Sequence, residues 1–251
     1  MFAPVARWFC DAVGAAPGQR ILDAACGTGL PSLALAERVR PNGKVVATDV
    51  SQTMIAAAMR IARSAGVNNI EHRSMDLMSL QFDDATFDAV TCKDGLMFCP
   101  DPVKAAGELR RVLKPNGRFA VSAWDVPEKN AFFMTIHQAL SRFVPPRPSP
   151  SAGSPGPFRL APVSEFQSVL RQAGFSELWA QSVEVVFEVD SADLHWQIVS
   201  DMSAPVEQVK ATLSPADVQG LKQAMAEAIE PYRAGRRIRL PNTALCISGR
   251  R

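Results

Sequence analysis

At 251 residues the chain is long enough for one large domain, or for a domain with an elaborated lid. Its 47% hydrophobic and 21% charged residues are ordinary for a globular protein, and a formal net charge of +2 leaves no basic excess for a polyanionic partner such as nucleic acid. No apolar run approaches the ~18 residues of a membrane span, no leader pattern opens the chain, and the five cysteines are scattered without a C-x-x-C pair, so a cytoplasmic protein with buried thiols is expected.

In chain order, Phe2 to Val13 reads as a helix and Arg20 to Ala25 as a short apolar strand running into Gly-Thr-Gly. Leu30 to Val39 is helix-like, Pro41-Asn-Gly a turn, and Lys44 to Asp49 a second strand. Ser51 offers an N-cap for a helix over Gln52 to Ala65, closed by Gly66. Asn69 to Asp76 and Phe87 to Cys92 read as strands, Val103 to Leu113 as a helix stopped by Lys114-Pro-Asn-Gly, and Arg118 to Trp124 as a fifth strand. Each parallel crossover needs a covering helix, so this alternation predicts a doubly wound, mostly parallel Rossmann-like α/β sheet.

The second half is looser. Asn130 to Phe143 is an amphipathic helix, and Pro145 to Pro157 holds six prolines and two glycines, either a linker or a mobile lid loop. Helical Pro162 to Ala173 precedes a strand over Ala180 to Val189, helices over Ala192 to Met202 and Pro205 to Ile229, and a last strand, Thr243 to Ser248. The expected division is a core over residues 1–125 and, over 126–251, lid helices plus the strands completing the same sheet of about seven strands.

The chemistry concentrates in Ile21-Leu-Asp-Ala-Ala-Cys-Gly-Thr-Gly29. A strand entering a Gly-x-Gly turn before a helix lets a ligand approach the backbone closely. Asp49 lies twenty residues beyond Gly29, at the tip of the next strand, where an acid reaches the ribose hydroxyls of a nucleoside. The third glycine of the dinucleotide fingerprint is missing. Asp23 is a poor neighbour for a pyrophosphate and a good one for a cationic amine.

These segments, with Met75-Asp76-Leu77, Phe87-Asp-Ala-Val, Gly95-Leu-Met-Phe-Cys-Pro-Asp-Pro and Glu108-Leu-Arg-Arg-Val-Leu-Lys-Pro-Asn-Gly, resemble the successive motifs of class I S-adenosylmethionine-dependent methyltransferases. The resemblance, over residues 18 to 125, is closest to the ubiquinone/menaquinone-biosynthesis (methyltransferase type 11) branch. It implies that Asp23, Ala24, Cys26 and Gly27 hold the methionine end of S-adenosylmethionine and that Gly29 permits tight packing. It also implies Asp49 on the ribose, Val50 and Met54 against adenine, Asp76 on the adenine amino group with Leu77 beside it, and Lys93 with its backbone near the amino-acid portion. A lysine at that place departs from the usual residue type, because its ammonium beside a cationic cofactor needs Asp94 or Asp23 to offset it. Elements before the first strand are expected to close over the cofactor; the short lead here implies a minimal lid or a homodimer whose partner protomer supplies part of it.

Methyl transfer from a sulfonium needs alignment and exclusion of water more than a fixed catalytic residue. His137, His195 and Tyr232 are the candidates for a base, each with a plainer packing or surface role beside it; His72, in the third strand, reads as structural. Met97, Phe98, Trp124, Phe133 and His137 are the expected acceptor-binding residues, an apolar set suited either to a small, largely apolar molecule such as a quinone or phenol or simply to a core. The basic run Arg233 to Arg239 is either an anion or membrane-surface contact or a solvated turn. A non-catalytic S-adenosylmethionine-binding protein, a nicotinamide oxidoreductase, a nucleic-acid methyltransferase and a metalloid methyltransferase using Cys92 and Cys99 are the alternatives. No metal is expected.

Overall fold

The computed structural model describes residues 3–145 and 154–251. The core of the Pro145–Pro157 stretch therefore lies outside the described residues. Two compact units divide the chain: a core unit of Phe2–Asp125, Ser154–Val183 and Ala244–Arg251, and a second unit containing Val126–Gly153 and Glu184–Thr243.

The core unit begins with α1 (Ala3–Ala12), which buries Val5, Ala6, Phe9 and Cys10 on one stripe. Then follow β1 (Arg20–Ala24), α2 (Leu30–Arg38), β2 (Lys44–Asp49), α3 (Gln52–Ser64), β3 (Ile70–Ser74), β4 (Phe87–Lys93), α4 (Pro102–Val112) and β5 (Leu113–Trp124). Ser51 caps α3 by accepting from the Met54 amide at 3.3 Å, as its position predicts. Asp101 does the same for α4 through Lys104, with Pro102 in the first turn, where its missing N–H is no loss.

The remaining elements are α5 (Ala131–Leu140), α6 (Val163–Gln172), β6 (Ser176–Val189), α7 (Ala192–Met202), α8 (Ala204–Lys210), α9 (Pro215–Ile229), β7 (Arg233–Ala234) and β8 (Arg237–Arg250). Among the described residues the strands form one sheet in the order β3-β2-β1-β4-β5-β8-β6, with β7 paired to β8. The five strands β1 to β5 pair in parallel, and β5 meets β8 antiparallel from Arg118↔Arg250 to Trp124↔Ala244. This is the expected doubly wound sheet. The chain builds outward from β1 through β2 to β3, then returns to lay β4 on the other side of β1. Ligands of such sheets bind at this switch point, beyond the carboxyl ends of β1 and β4.

Several boundaries depart from expectation, β6 starting at Ser176 rather than Ala180 and α5 ending at Leu140 rather than Phe143 among them, and three do so for visible local reasons. Lys114-Pro-Asn-Gly does not separate helix from strand but bulges within β5: Phe87 pairs with Leu113 and Ala89 already with Arg118, while Asn116 takes a φ of +61°. The helix expected over Pro205 to Ile229 is two helices, because Ser214 caps α9 by accepting from the Asp217 amide and Pro215 opens it. The last strand starts at Arg237 rather than Thr243, its exposed Arg237 and Arg239 alternating with buried Ile238 and Leu240.

Each unit has its own apolar interior. In the core unit Phe9, Phe87, Phe119 and Phe166 are fully buried, each contributing roughly 1.5–3 kcal/mol of apolar burial. In the second unit Ile136, Ala139, Val199, Val206, Val209, Leu221, Ala224 and Met225 cluster under Phe132, Phe143 and Trp196. Among the described residues no helix is long and apolar enough to cross a membrane.

Candidate functional site

Beyond β1 the backbone turns sharply, with Ala25, Gly27 and Gly29 at φ values of +52°, +55° and +87°. Glycine suits position 29 on two counts, since its φ is one that side chains rarely adopt and a Cβ there would come within a tight 3.2 Å of the Ala58 Cβ on α3. At Gly27 nothing lies within 4 Å of an added Cβ, so its backbone faces open space. Cys26 is buried between Ala47 and Ile55, and its amide donates to the Thr48 carbonyl at 2.9 Å. Burial raises its thiol well above the ordinary range, so it stays protonated and unreactive.

Asp49 ends β2 and braces this turn. Its Oδ2 accepts from the Gly27 amide and its Oδ1 from the Ser51 amide, both at 2.9 Å. Each oxygen keeps a further lone pair for a ligand hydroxyl. Beside it Val50 is 73% exposed and Met54 44% exposed, an apolar face without protein cover.

Asp23 is a different kind of acid. It is fully buried, with Oδ2 accepting from Ser32 Oγ at 2.5 Å and Oδ1 from Thr91 Oγ1 at 2.8 Å. Burial pushes its pKa up to about 6 against these two donors and the nearby Lys93 charge, all of which act to lower it. Ala24, next to it, is also buried.

The third and fourth strand ends complete the ring. Asp76 is exposed in a turn in which its Oδ1 accepts from the Met78 amide at 2.8 Å, and Leu77 beside it is buried. Past β4, Lys93 pairs with Asp94 at 2.5 Å, and Asp94 also accepts from Ser122 Oγ at 2.6 Å. The ammonium that looked out of place is thus offset by its neighbour. Gly95 brings the two turns together, because a Cβ on it would lie 2.5 Å from the Ala25 Cβ, 2.8 Å from Cys92 Sγ and 3.8 Å from Leu77 Cδ2.

The methyltransferase-domain family matches residues 21–117, the span that carries the acids and glycines of the strand-end turns but not Ser122. A demethylmenaquinone methyltransferase of Thermus thermophilus is 36% identical over 166 residues, covering 63% of this chain and 74% of the relative. The chain belongs to the class I S-adenosylmethionine-dependent methyltransferases, in their menaquinone-like branch. Nocamycin O-methyltransferase of Saccharothrix syringae is 35% identical over 121 residues, covering 48% of this methyltransferase and 43% of the relative, so the chain spans less than half the length of that protein. The solved structure of the YcgJ protein from Bacillus subtilis, at 20% identity, covers 98% of this chain and 97% of its own with a TM-score of 0.62, a likeness of fold.

The cofactor of this methyltransferase is S-adenosylmethionine, and the residues present fit it. The turn offers open backbone at Gly27, Asp49 keeps lone pairs beyond those its two amide partners use, and Val50 and Met54 leave an uncovered apolar face.

The expected acceptor and base residues fall in both units. In the core unit Met97 and Trp124 are buried and Phe98 is 54% exposed. In the second unit His137 is exposed on α5, Phe133 is half-buried with its ring edge-on to Phe132 at 5.4 Å, and Tyr232 is half-buried in a short turn after α9. His195 is buried in α7. The basic run is taken up locally: Arg233 pairs with Glu230, Arg237 with Glu188 and Asp190, and Arg239 with Glu188.

Sequence reasoning missed the groups that act through others. Ser32 and Thr91 hold Asp23, and Ser122 holds Asp94. Arg111 donates to the carbonyls of Leu80 and Phe82 at 2.7 Å and pairs with Asp84 and Glu108, while Glu108 accepts from the Leu80 amide at 2.8 Å. The Glu-x-x-Arg spacing on α4 was visible as a helical i,i+3 pair, but its partner loop was not.

Proposed function

We propose that the chain methylates a planar, hydroxyl-bearing ring of the quinol or phenol type. The observation that carries this reading is the joint similarity to a demethylmenaquinone methyltransferase over 166 residues and to an O-methyltransferase over 121. The exposed aromatic Phe98, just past the β4 turn, supports an apolar ring as the partner.

S-adenosylmethionine supplies a methyl group already activated on a sulfonium. The chain's own residues bind, orient and exclude water. Asp49 takes the ribose hydroxyls while bracing the Gly27 amide, and Val50 and Met54 cover the adenine faces. Asp76 accepts from the adenine amino group. Asp23, held by Ser32 and Thr91, keeps the β1 turn in shape and places negative charge beneath the cationic end. Lys93 contributes backbone, its ammonium neutralised by Asp94. Alignment of this kind lowers the barrier by holding donor and acceptor in a near-attack geometry.

The test is incubation with S-adenosylmethionine and, separately, 1,4-dihydroxynaphthalene, a catechol and a primary amine, with product mass measured. A singly methylated naphthalene or catechol product, and none from the amine, supports the reading. Methylation of the amine alone, or of none of the three, contradicts it.

A further inference from the structure

His195 lies in the first turn of α7, four residues past its cap Ser191, and is 1% exposed. Among the described residues neither of its ring nitrogens has a hydrogen-bond partner. Its surroundings are aromatic: its ring stands edge-on to Phe132 at 5.8 Å, and Phe132 stacks on Phe187 at 4.5 Å with 15° between planes. An imidazole carries an N–H and a lone pair, and leaving both unpaired in an apolar interior is unfavourable. A leucine would fill the same space without that cost. Burial lowers the ring's pKa to about 4, so at neutral pH it is an uncharged donor and acceptor rather than a cation.

We propose that His195 is the polar anchor of the acceptor: a ring nitrogen hydrogen-bonds a hydroxyl or carbonyl oxygen of an otherwise apolar planar molecule that lies against Phe132 and Phe187. This rests on the ring acceptor proposed above. The aromatic pair supplies ring contact and the imidazole fixes which edge of the acceptor faces it, a division of labour usual in sites for apolar ligands with few polar atoms. Because a neutral imidazole both donates and accepts, it serves the hydroxyl and the carbonyl forms of such a ring alike. A glutamine at this place retains both functions in part; a leucine retains neither.

The test compares wild type with His195→Leu and His195→Gln. Three quantities are read for each: melting temperature, affinity for S-adenosylhomocysteine, and KM for 1,4-dihydroxynaphthalene. His195→Leu is expected to melt within a few degrees of wild type or above it, and to bind S-adenosylhomocysteine within twofold. Its KM for the naphthalene rises at least tenfold, and His195→Gln falls between. The side chains of only three histidines, His72, His137 and His195, contribute to a ring-nitrogen NMR spectrum. The His195 nitrogen signals should move when the naphthalene is added to wild type. An unchanged KM in His195→Leu, or a variant that unfolds because the ring is paired to a structural water, overturns the proposal while leaving the ring acceptor standing. Wild type that neither binds nor methylates the naphthalene overturns both.

Discussion

The carboxylate of Asp49 at the end of β2 accepts a hydrogen bond of 2.9 Å from the amide of Gly27, in the turn after β1. One acid thereby shapes the loop and presents its remaining lone pairs outward. Asp49→Ala removes the acceptor for two amides, Gly27 and Ser51, and is expected to cost about 1–2 kcal/mol of stability by denaturant unfolding. Asp49→Asn keeps one acceptor oxygen and should lose less stability, while its affinity for S-adenosylhomocysteine falls several-fold.

Asp23 predicts a pH dependence of opposite sign to that of an acid whose folded pKa is depressed by an ion pair. Its pKa is about 6 in the folded chain against an ordinary 3.8, so between these values the folded state binds the extra proton. Its contribution to stability is present below about pH 4 and is lost as pH rises through about 6. Relative to Asp23→Asn, which is neutral throughout, wild type should lose up to about 3 kcal/mol between those limits. Paired urea titrations across this range measure it, and a difference independent of pH contradicts the assignment.

Two glycines separate steric from conformational effects. Gly95→Ala would drive a Cβ against Ala25 and Cys92 at 2.5 and 2.8 Å, and should cost about 1–3 kcal/mol through overpacking. Gly27→Ala meets no atom but must hold a φ of +55°, a smaller penalty of about 1 kcal/mol. The second variant should remain folded and still lose cofactor affinity, because its methyl group occupies the open side of the turn. Thermal melts beside calorimetric titrations distinguish the two.

Arg111→Lys retains the charge and loses the planar fork that spans Leu80, Phe82, Asp84 and Glu108. Faster hydrogen exchange is expected at the amides of Leu80, Ala85 and Thr86, with a several-fold weaker hold on S-adenosylhomocysteine through the adjoining Asp76 turn. Unchanged exchange in that segment would show that α4 does not position it.

How far the sequence carried this picture depends on the range of each interaction. The five parallel strands follow from short apolar runs separated by helical segments, and Asp23 and Asp49 from their places at strand ends, whereas Asp76 came only with the family resemblance. The Arg237 start of β8 was equally written in Arg-Ile-Arg-Leu, but charged residues on the open face and Pro241 hid the alternation. Ser214-Pro215 was a legible helix start that the apolar periodicity around it obscured. The role of Ser32 needed the turn to be folded, since α2 must double back on β1 before its hydroxyl meets Asp23. The reach of Arg111 to residues 80–84 spans about thirty positions and has no local signature.

Calorimetric titration of the wild type and of Asp49→Ala with S-adenosylhomocysteine, and of the wild type with NADH, tests the central claim most directly. The prediction is micromolar binding of S-adenosylhomocysteine by wild type, weakened at least tenfold (~1.4 kcal/mol) in the variant, with no heat from NADH. Binding of NADH in preference, or equal binding of S-adenosylhomocysteine by both proteins, would contradict a methyl-donor site built around Asp49.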